Sequence, residues 1–287
     1  MATQRNGIDD DRPGTDEDGV SLTAQEASEV DEKRPTSVQV LHETVRLEGE
    51  SELARPASAL LWSALAAGLT MGFSMLARAL MFAHFGHTPA GWLLAGIGYS
   101  VGFLIVILAR QQLFTENTLT AVLPLMTHPR LKTLGRLLRL WGLVLLGNLV
   151  GAALFAWGLR HLDGLETATH EALLSIGRHL IDLTSWQVFS RAMIAGWLIA
   201  TLVWLIPGAE TARVTMIVVI TSLIGLGGFA HIVSGSAEVL YVVFSGGASF
   251  TEFAMRFALP TLAGNVVGGS LIFALISHAQ VRGDRSH

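Results

Sequence analysis

The sequence predicts an all-α membrane protein with six transmembrane helices in two inverted three-helix repeats, helices two and five being broken at mid-membrane. Three observations predict it. The 287 residues are 51% hydrophobic and 15% charged, with a mean hydropathy of +0.50, whereas a soluble domain is about 25% charged. Two long apolar runs are interrupted by residues that break or cap a helix: Leu113-Phe114-Thr115-Glu116-Asn117-Thr118 in the first, and Gly227-Gly228-Phe229-Ala230-His231 followed by Ser234-Gly235-Ser236 in the second. Each break is followed by a glycine-asparagine segment, Gly147-Asn148-Leu149-Val150-Gly151 and Gly264-Asn265-Val266-Val267-Gly268. Thr115 and His231 are 116 residues apart, and Asn148 and Asn265 are 117 apart. Breaks at matching positions of two halves mark an inverted-repeat transporter, with its site where they meet.

In chain order, residues 1–36 are rich in acidic, hydroxyl and glycine residues and read as a disordered, solvated tail. Residues 1–55 hold 14 acidic and 6 basic side chains, and the remainder holds 9 and 13, so an acidic tail precedes a basic body. Over 37–57, Val38, Leu41, Val45 and Leu47 recur at helical spacing among charges. That pattern fits an amphipathic helix on the membrane surface or a soluble docking helix. The transmembrane domain is 58–280, with helices at about 58–83, 91–127 (broken near 110–116), 139–160, 188–206, 213–248 (broken near 228–236) and 257–279. These suit a hydrocarbon core of about 30 Å, which takes roughly 20 helical residues. Trp62, Trp92, Trp141, Trp157, Trp186 and Trp204 fall near span ends, as in an interfacial belt.

Between spans two and three lie Arg130, Lys132, Arg136 and Arg139, while 84–90 has no Lys or Arg. The positive-inside rule therefore puts 128–138 and both termini, including the 281–287 tail, in the cytoplasm, and the long 161–187 loop outside. Three spans per half force the second half in upside down. Half-helices starting near Asn117 and Ala237 would then present positive ends and free N–H groups to one centre, which favours a small anion.

His231 is the sharpest candidate, since an ionisable side chain in a broken membrane helix is functional by default and imidazole exchanges protons near neutral pH. Thr115, taken as its repeat counterpart, could orient the ring or simply cap a helix. Leu113, Phe114 and Phe229 flank the breaks. Arg110, Glu116 and Glu238 lie beside them, where unpaired charge is costly, so Arg110 is expected to pair with Glu116 or Glu238. Gly147, Gly151, Gly264 and Gly268 have the small-xxx-small spacing of close helix packing. The absence of cysteine excludes disulfides and thiolate chemistry.

Leu113-Phe114-Thr115, Gly147-Asn148-Leu149-Val150-Gly151, Gly228-Phe229-x-His231 and Gly264-Asn265-x-Val267-Gly268-Gly269 together resemble the formate/nitrite transporter family over about 58–280. The resemblance implies an aquaporin-like fold, a homopentamer in the cell (inner) membrane and one pore per subunit for a small monovalent anion or its conjugate acid, linked to protons. It implies His231 as the central pore histidine and Thr115 as its partner, with Leu113 and Phe114 at one constriction. Tyr99 and Phe103, in the frame Tyr99-Ser100-x-Gly102, fall at the upstream gate, and Ile224 takes a position that is often phenylalanine. The chain departs from the pattern at Ala230, where the family commonly has glutamate, and at Ala200, where asparagine is expected. It has no mouth lysine, since Lys33 and Lys132 are its only lysines. The resemblance calls for no cofactor, metal or nucleic-acid partner.

Other classes fit less well. A water or glycerol channel would carry paired Asn-Pro-Ala signatures, which are absent. His170-Glu171 begins like a zinc-protease helix, but position 174 is Leu. A non-transporting sensor or scaffold that keeps the fold is the alternative to transport.

Overall fold

The computed structural model describes residues 36–284, together with residues 23, 25 and 26; the tail expected over 1–36 falls almost wholly outside them. Ten helices order the described chain: α1 Val38–Ala54, α2 Ala57–Phe85, α3 Pro89–Leu108, α4 Leu123–Thr127, α5 Leu131–Arg160, α6 Thr167–Ile181, α7 Ser185–Leu205, α8 Arg213–Gly227, α9 Ile232–Phe244 and α10 Phe250–Gly283. Of these, α2, α3, α5, α7 and α10 are long and apolar enough to cross a membrane, and α8 with α9, bent by 45°, makes a sixth crossing.

Local chemistry sets the starts. Thr88 caps α3 by accepting from the Gly91 N–H, with Pro89 in the first turn. Thr184 with Gln187, and Ser249 with Glu252, form capping boxes for α7 and α10. Two π-helical stretches, Phe253–Ala258 and Val267–Ala274, flank the Asn265 region of α10.

The halves repeat their packing. On α2, Gly68 lies against the Asn148 backbone of α5, and on α7, Gly196 lies against the Asn265 backbone of α10. Gly151 and Gly268 return the contact onto the backbones of α2 and α7. A methyl group at any of the four would overlap main chain, which cannot give way, so these glycines are packing residues.

Two stretches gain structure beyond the expectation. The 161–187 loop contains α6, whose Leu173, Ile176 and Leu180 are buried at helical spacing; it is too short to span and packs instead on α9. Residues of the 37–57 segment form α1, which buries His42, Val45, Gly49 and Leu53 and packs on α4, α5, α7 and the end of α10. A Cβ on Gly49 would meet the Thr120 carbonyl, so α1 touches the first break at its backbone.

Candidate functional site

Both broken helices stop in the same way. At the end of α3, Arg110 N–H donates to the Ile107 carbonyl and Gln111 N–H to that of Val106. At the end of α8, Gly228 N–H donates to Gly225 and Phe229 N–H to Ile224. Each is a left-handed C-terminal cap, with φ 53° at Arg110 and φ 59° at Gly228. Glycine adopts that conformation freely, whereas arginine is strained there.

Beyond each cap a buried asparagine holds the open backbone. Asn148 Oδ1 accepts from Phe114 N–H (2.8 Å), and its Nδ2 donates to the carbonyls of Gln112 and Ala64 (both 2.8 Å). Asn265 Oδ1 accepts from Ile232 N–H (2.9 Å), and its Nδ2 donates to Ala230 (3.0 Å) and Ala192 (2.8 Å). A helix interrupted in an apolar medium leaves backbone groups that water cannot reach, and each amide satisfies two of them, its third bond reaching a helix-interior carbonyl, Ala64 of α2 or Ala192 of α7. These clamps fix the register. Phe114 answers to Ile232 and Gln112 to Ala230, both 118 residues apart. The same step matches the two caps. The counterpart of His231 is therefore Leu113, and Thr115 corresponds to Val233, a correction to the pairing read from the sequence.

The half-helices also start elsewhere than expected. α9 begins at Ile232 because His231 is its N-cap, with Nδ1 accepting from the N–H groups of Val233 and Ser234 (both 3.3 Å). Ser234-Gly235-Ser236 consequently lies inside α9, where Ser236 Oγ donates to the Ile232 carbonyl. After the first break, residues 114–122 form irregular turns and regular helix resumes only at Leu123. There Asn117, Thr118 and Thr120 bond nearby carbonyls with their own side chains and compete with helix. Of the expected free N–H groups at the centre, those of Phe114, Ile232, Val233 and Ser234 are thus occupied by Asn148, Asn265 and His231.

With Nδ1 accepting, the His231 ring carries its proton on Nε2, which lies 2.7 Å from Thr115 Oγ1. The Phe103 ring meets the imidazole edge-on at 5.0 Å and Tyr99 at 5.4 Å, tilted. Phe103, Leu113, Thr115, Ile224 and His231 are all at most 1% exposed. This waist separates two cavities. One, of about 290 Å³, is lined by His231, Tyr99, Ile224, Phe229, Arg78 and Glu238 among others. The other, of about 410 Å³, is lined by Leu113, Gln112, Arg110, Glu48, Glu52 and Glu116 among others. The symmetry-related pair His231 and Leu113 thus ends opposite cavities. Phe114 lines neither and packs edge-to-face on Trp141 at 5.7 Å.

The charges pair differently from expectation. Arg110 Nη2 meets Glu48 Oε1 of α1 at 2.7 Å, and Glu238 Oε1 meets Arg78 Nη1 of α2 at 3.3 Å. Arg110 and Glu116 share the larger cavity, but Glu238 lies in the other, so no network joins the three. Arg78 was not singled out by the sequence reading, because one cation in a long apolar run has no pattern; only its polarity at that depth signalled it. In the same cavity, burial and then the neighbouring Arg191 and Arg78 hold the His179 imidazole of α6 below its ordinary pKa, against the pull of Asp182. Gly98-Tyr99-Ser100-Val101-Gly102 spells a hydrolase nucleophile pattern, which needs a strand-to-helix elbow. It lies within α3, and Ser100 Oγ donates to the Ile97 carbonyl (2.7 Å). Among the described residues, no cluster of three or more histidine or acidic side chains is placed to hold a metal.

An inverted pair of capped, clamped half-spans meeting at a dry waist defines a multi-pass membrane protein of the channel and transporter class. A family model for the formate/nitrite transporter matches residues 39–279. The chain is 46% identical over 286 residues to the inner membrane protein YfdC of Escherichia coli, covering 98% of this chain and 92% of that one. It is 26% identical to the formate channel FocA of Haemophilus influenzae, over 62% of this chain and 70% of that one. Among solved structures, a pentameric formate channel with formate bound matches 78% of this chain and 97% of its own, with TM-score 0.67 and 21% identity. An FNT family ion channel matches 84% and 98%, with TM-score 0.71 and 19% identity. The chain belongs to the formate/nitrite transporter family.

Proposed function

We propose that the protein conducts a small monovalent anion, or its conjugate acid, between the two cavities through the waist at His231 and Thr115. The observation that carries this is the 2.7 Å contact between His231 Nε2 and Thr115 Oγ1 at the meeting of the two breaks. The Nε2–H donates to Thr115 Oγ1, so the Thr115 hydroxyl proton is the donor this pair leaves to an anion, and Phe103 and Leu113 keep the passage dry. A bare anion meets a desolvation cost of several kcal/mol in such a place, which favours crossing as the neutral acid. Tyr99, Ile224 and Phe229 line the approach from one side and Leu113 from the other.

The chain is read as a pentamer in the inner membrane with both termini cytoplasmic. Support comes from the pentameric relative, the inner-membrane relative and the basic 128–138 segment, which runs into the start of α5. On that orientation the Arg78 cavity is external. Native mass measurement should give five copies, and a dominant monomer or trimer would contradict the assembly. Flux of formate and nitrite into proteoliposomes, at an acidic and a neutral pH, tests the transport reading. Wild type should conduct and His231→Asn should lose most flux; equal flux in the variant would remove the histidine from the path. The second reading, a non-transporting sensor or scaffold, is favoured by the lining of the larger cavity, where Glu48, Glu52 and Glu116 share the space with only Arg110 and Arg213, and Arg110 is already paired with Glu48. Wild-type vesicles silent to every anion would select it.

A further inference from the structure

After the first break the chain turns irregularly from 114 to 122. Leu119 N–H donates to the Glu116 carbonyl and Val122 N–H to that of Leu119. In an α-helix those two N–H groups would serve the carbonyls of Thr115 and Thr118, which here are left to side chains. Thr118 Oγ1 donates to the Thr115 carbonyl (2.7 Å), and Ser270 Oγ of α10 donates to the Thr118 carbonyl (2.6 Å). Thr115, Thr118 and Ser270 are at most 4% exposed, and at that depth an unmade bond is costly. Ser270 lines neither cavity, so it acts only through its neighbours.

A π-helical stretch brings Ser270 to the break. Over Val267–Ala274 the turns of α10 are wider than those of an α-helix, a feature that recurs at functional sites. A Cβ on Gly269 would overlap Thr118 Oγ1, so the α10 backbone closes directly onto that threonine. The other repeat lacks this arrangement. α5 is α-helical throughout Leu131–Arg160, and 117 residues before Ser270 it carries Ala153, which has no hydroxyl. At the 118-residue step Thr118 answers to Ser236, whose hydroxyl bonds the Ile232 carbonyl of its own helix. The cross-repeat hydroxyl thus serves the break whose backbone is irregular.

We infer that Ser270 is a positioning residue for the waist: its hydroxyl, presented by the π-helical turn, sets Thr115 against His231 through Thr118. Three bonds in series carry this, Ser270 to Thr118, Thr118 to Thr115, and Thr115 with His231 Nε2 at 2.7 Å. Fixing the Thr115 carbonyl fixes the peptide from which its side chain projects. The hydroxyl then accepts from the ring and keeps its own proton toward the passage. α10 of the second repeat thereby holds the first break in register with the histidine of the second. The effect on flux rests on the transport reading; the relay of bonds does not.

The test uses full-length protein, purified for ¹⁵N-histidine NMR and reconstituted for flux with formate as probe. The His231 signal is assigned by its loss in His231→Asn. Ser270→Ala should shift the His231 Nε2 resonance in the direction seen for Thr115→Ala, because both loosen the same contact. Ser270→Thr, which keeps the hydroxyl, should restore it. Thr221→Ala removes an equally buried hydroxyl that bonds the Ile217 carbonyl of its own helix, and should leave the resonance in place. In proteoliposomes, Ser270→Ala should lower maximal formate flux per folded protein roughly two- to tenfold, the worth of one hydrogen bond, with half-saturation unchanged. A merely structural serine would lower the folded yield and leave both readouts alone. Should Ser270→Ala not fold, Thr118→Val, which keeps the shape and deletes the middle donor, should give the same shift. A His231 resonance unmoved in the folded variant overturns the proposal, as does unaltered maximal flux beside a conducting wild type. Silent wild-type vesicles with the resonance shifted reject the transport reading and uphold the relay.

Discussion

At the residue scale, the two caps give the cleanest contrast. Arg110 and Gly228 hold the same left-handed conformation at equivalent positions, but only one is glycine. A side chain there costs about 1–2 kcal/mol. Around Gly228 the nearest atom to an added Cβ would be Arg191 Nη1 at 3.4 Å, so the penalty for Gly228→Ala is conformational rather than steric. Gly228→Ala should therefore lower the unfolding midpoint in detergent by the equivalent of about 1–2 kcal/mol. Arg110→Gly should leave it unchanged or higher, because the Arg110–Glu48 pair it removes is 80% and 40% exposed and worth at most about 1 kcal/mol. Equal losses from both would show that the ion pair, and not φ, governs Arg110. His231 was legible at this scale as an ionisable residue at a break. Arg78 and its pairing with Glu238 were not, since sequence places charges along a helix but does not say which face of a distant helix they meet.

At the element scale, the breaks were legible and their inner structure was not. Glycine and polar residues mark where α3 and α8 stop, but the half-helix starts depend on side chains that bond backbone. Capped by His231, α9 starts at Ile232, five residues before the expected start, and the threonines of 115–120 delay α4. The clamps were seen in the sequence only as a repeated Gly-Asn segment; their function lies in bonds to residues at least 33 positions away. Asn148→Ala and Asn265→Ala each strand two buried backbone groups at a break, at about 1–3 kcal/mol apiece. Both should sharply reduce the folded yield in membranes, and by comparable amounts, while Asn→Asp, which keeps only the acceptor, should rescue little. A tolerated alanine at either position would show that water satisfies the break.

At the scale of the whole molecule, the inverted repeat was visible as matched offsets, 116 and 117 residues, and the clamps refine the step at the breaks to 118. The error of two residues changes the assignment: it moves Leu113, rather than Thr115, into equivalence with His231. It also gives the waist two unlike sides, a polar ring facing the Arg78 cavity and an apolar side chain facing the cavity of Arg110 and Glu48. The central claim is that these cavities are the two sides of a single path. The chain lacks cysteine, so single thiols report without background. Ile224→Cys and Leu113→Cys, probed with a membrane-impermeant thiol reagent in right-side-out and inside-out vesicles, test it most directly. Ile224→Cys should react only from outside and Leu113→Cys only from inside, and either modification should stop anion flux. Reaction of both from the same face, or labelling that leaves flux intact, would contradict the account.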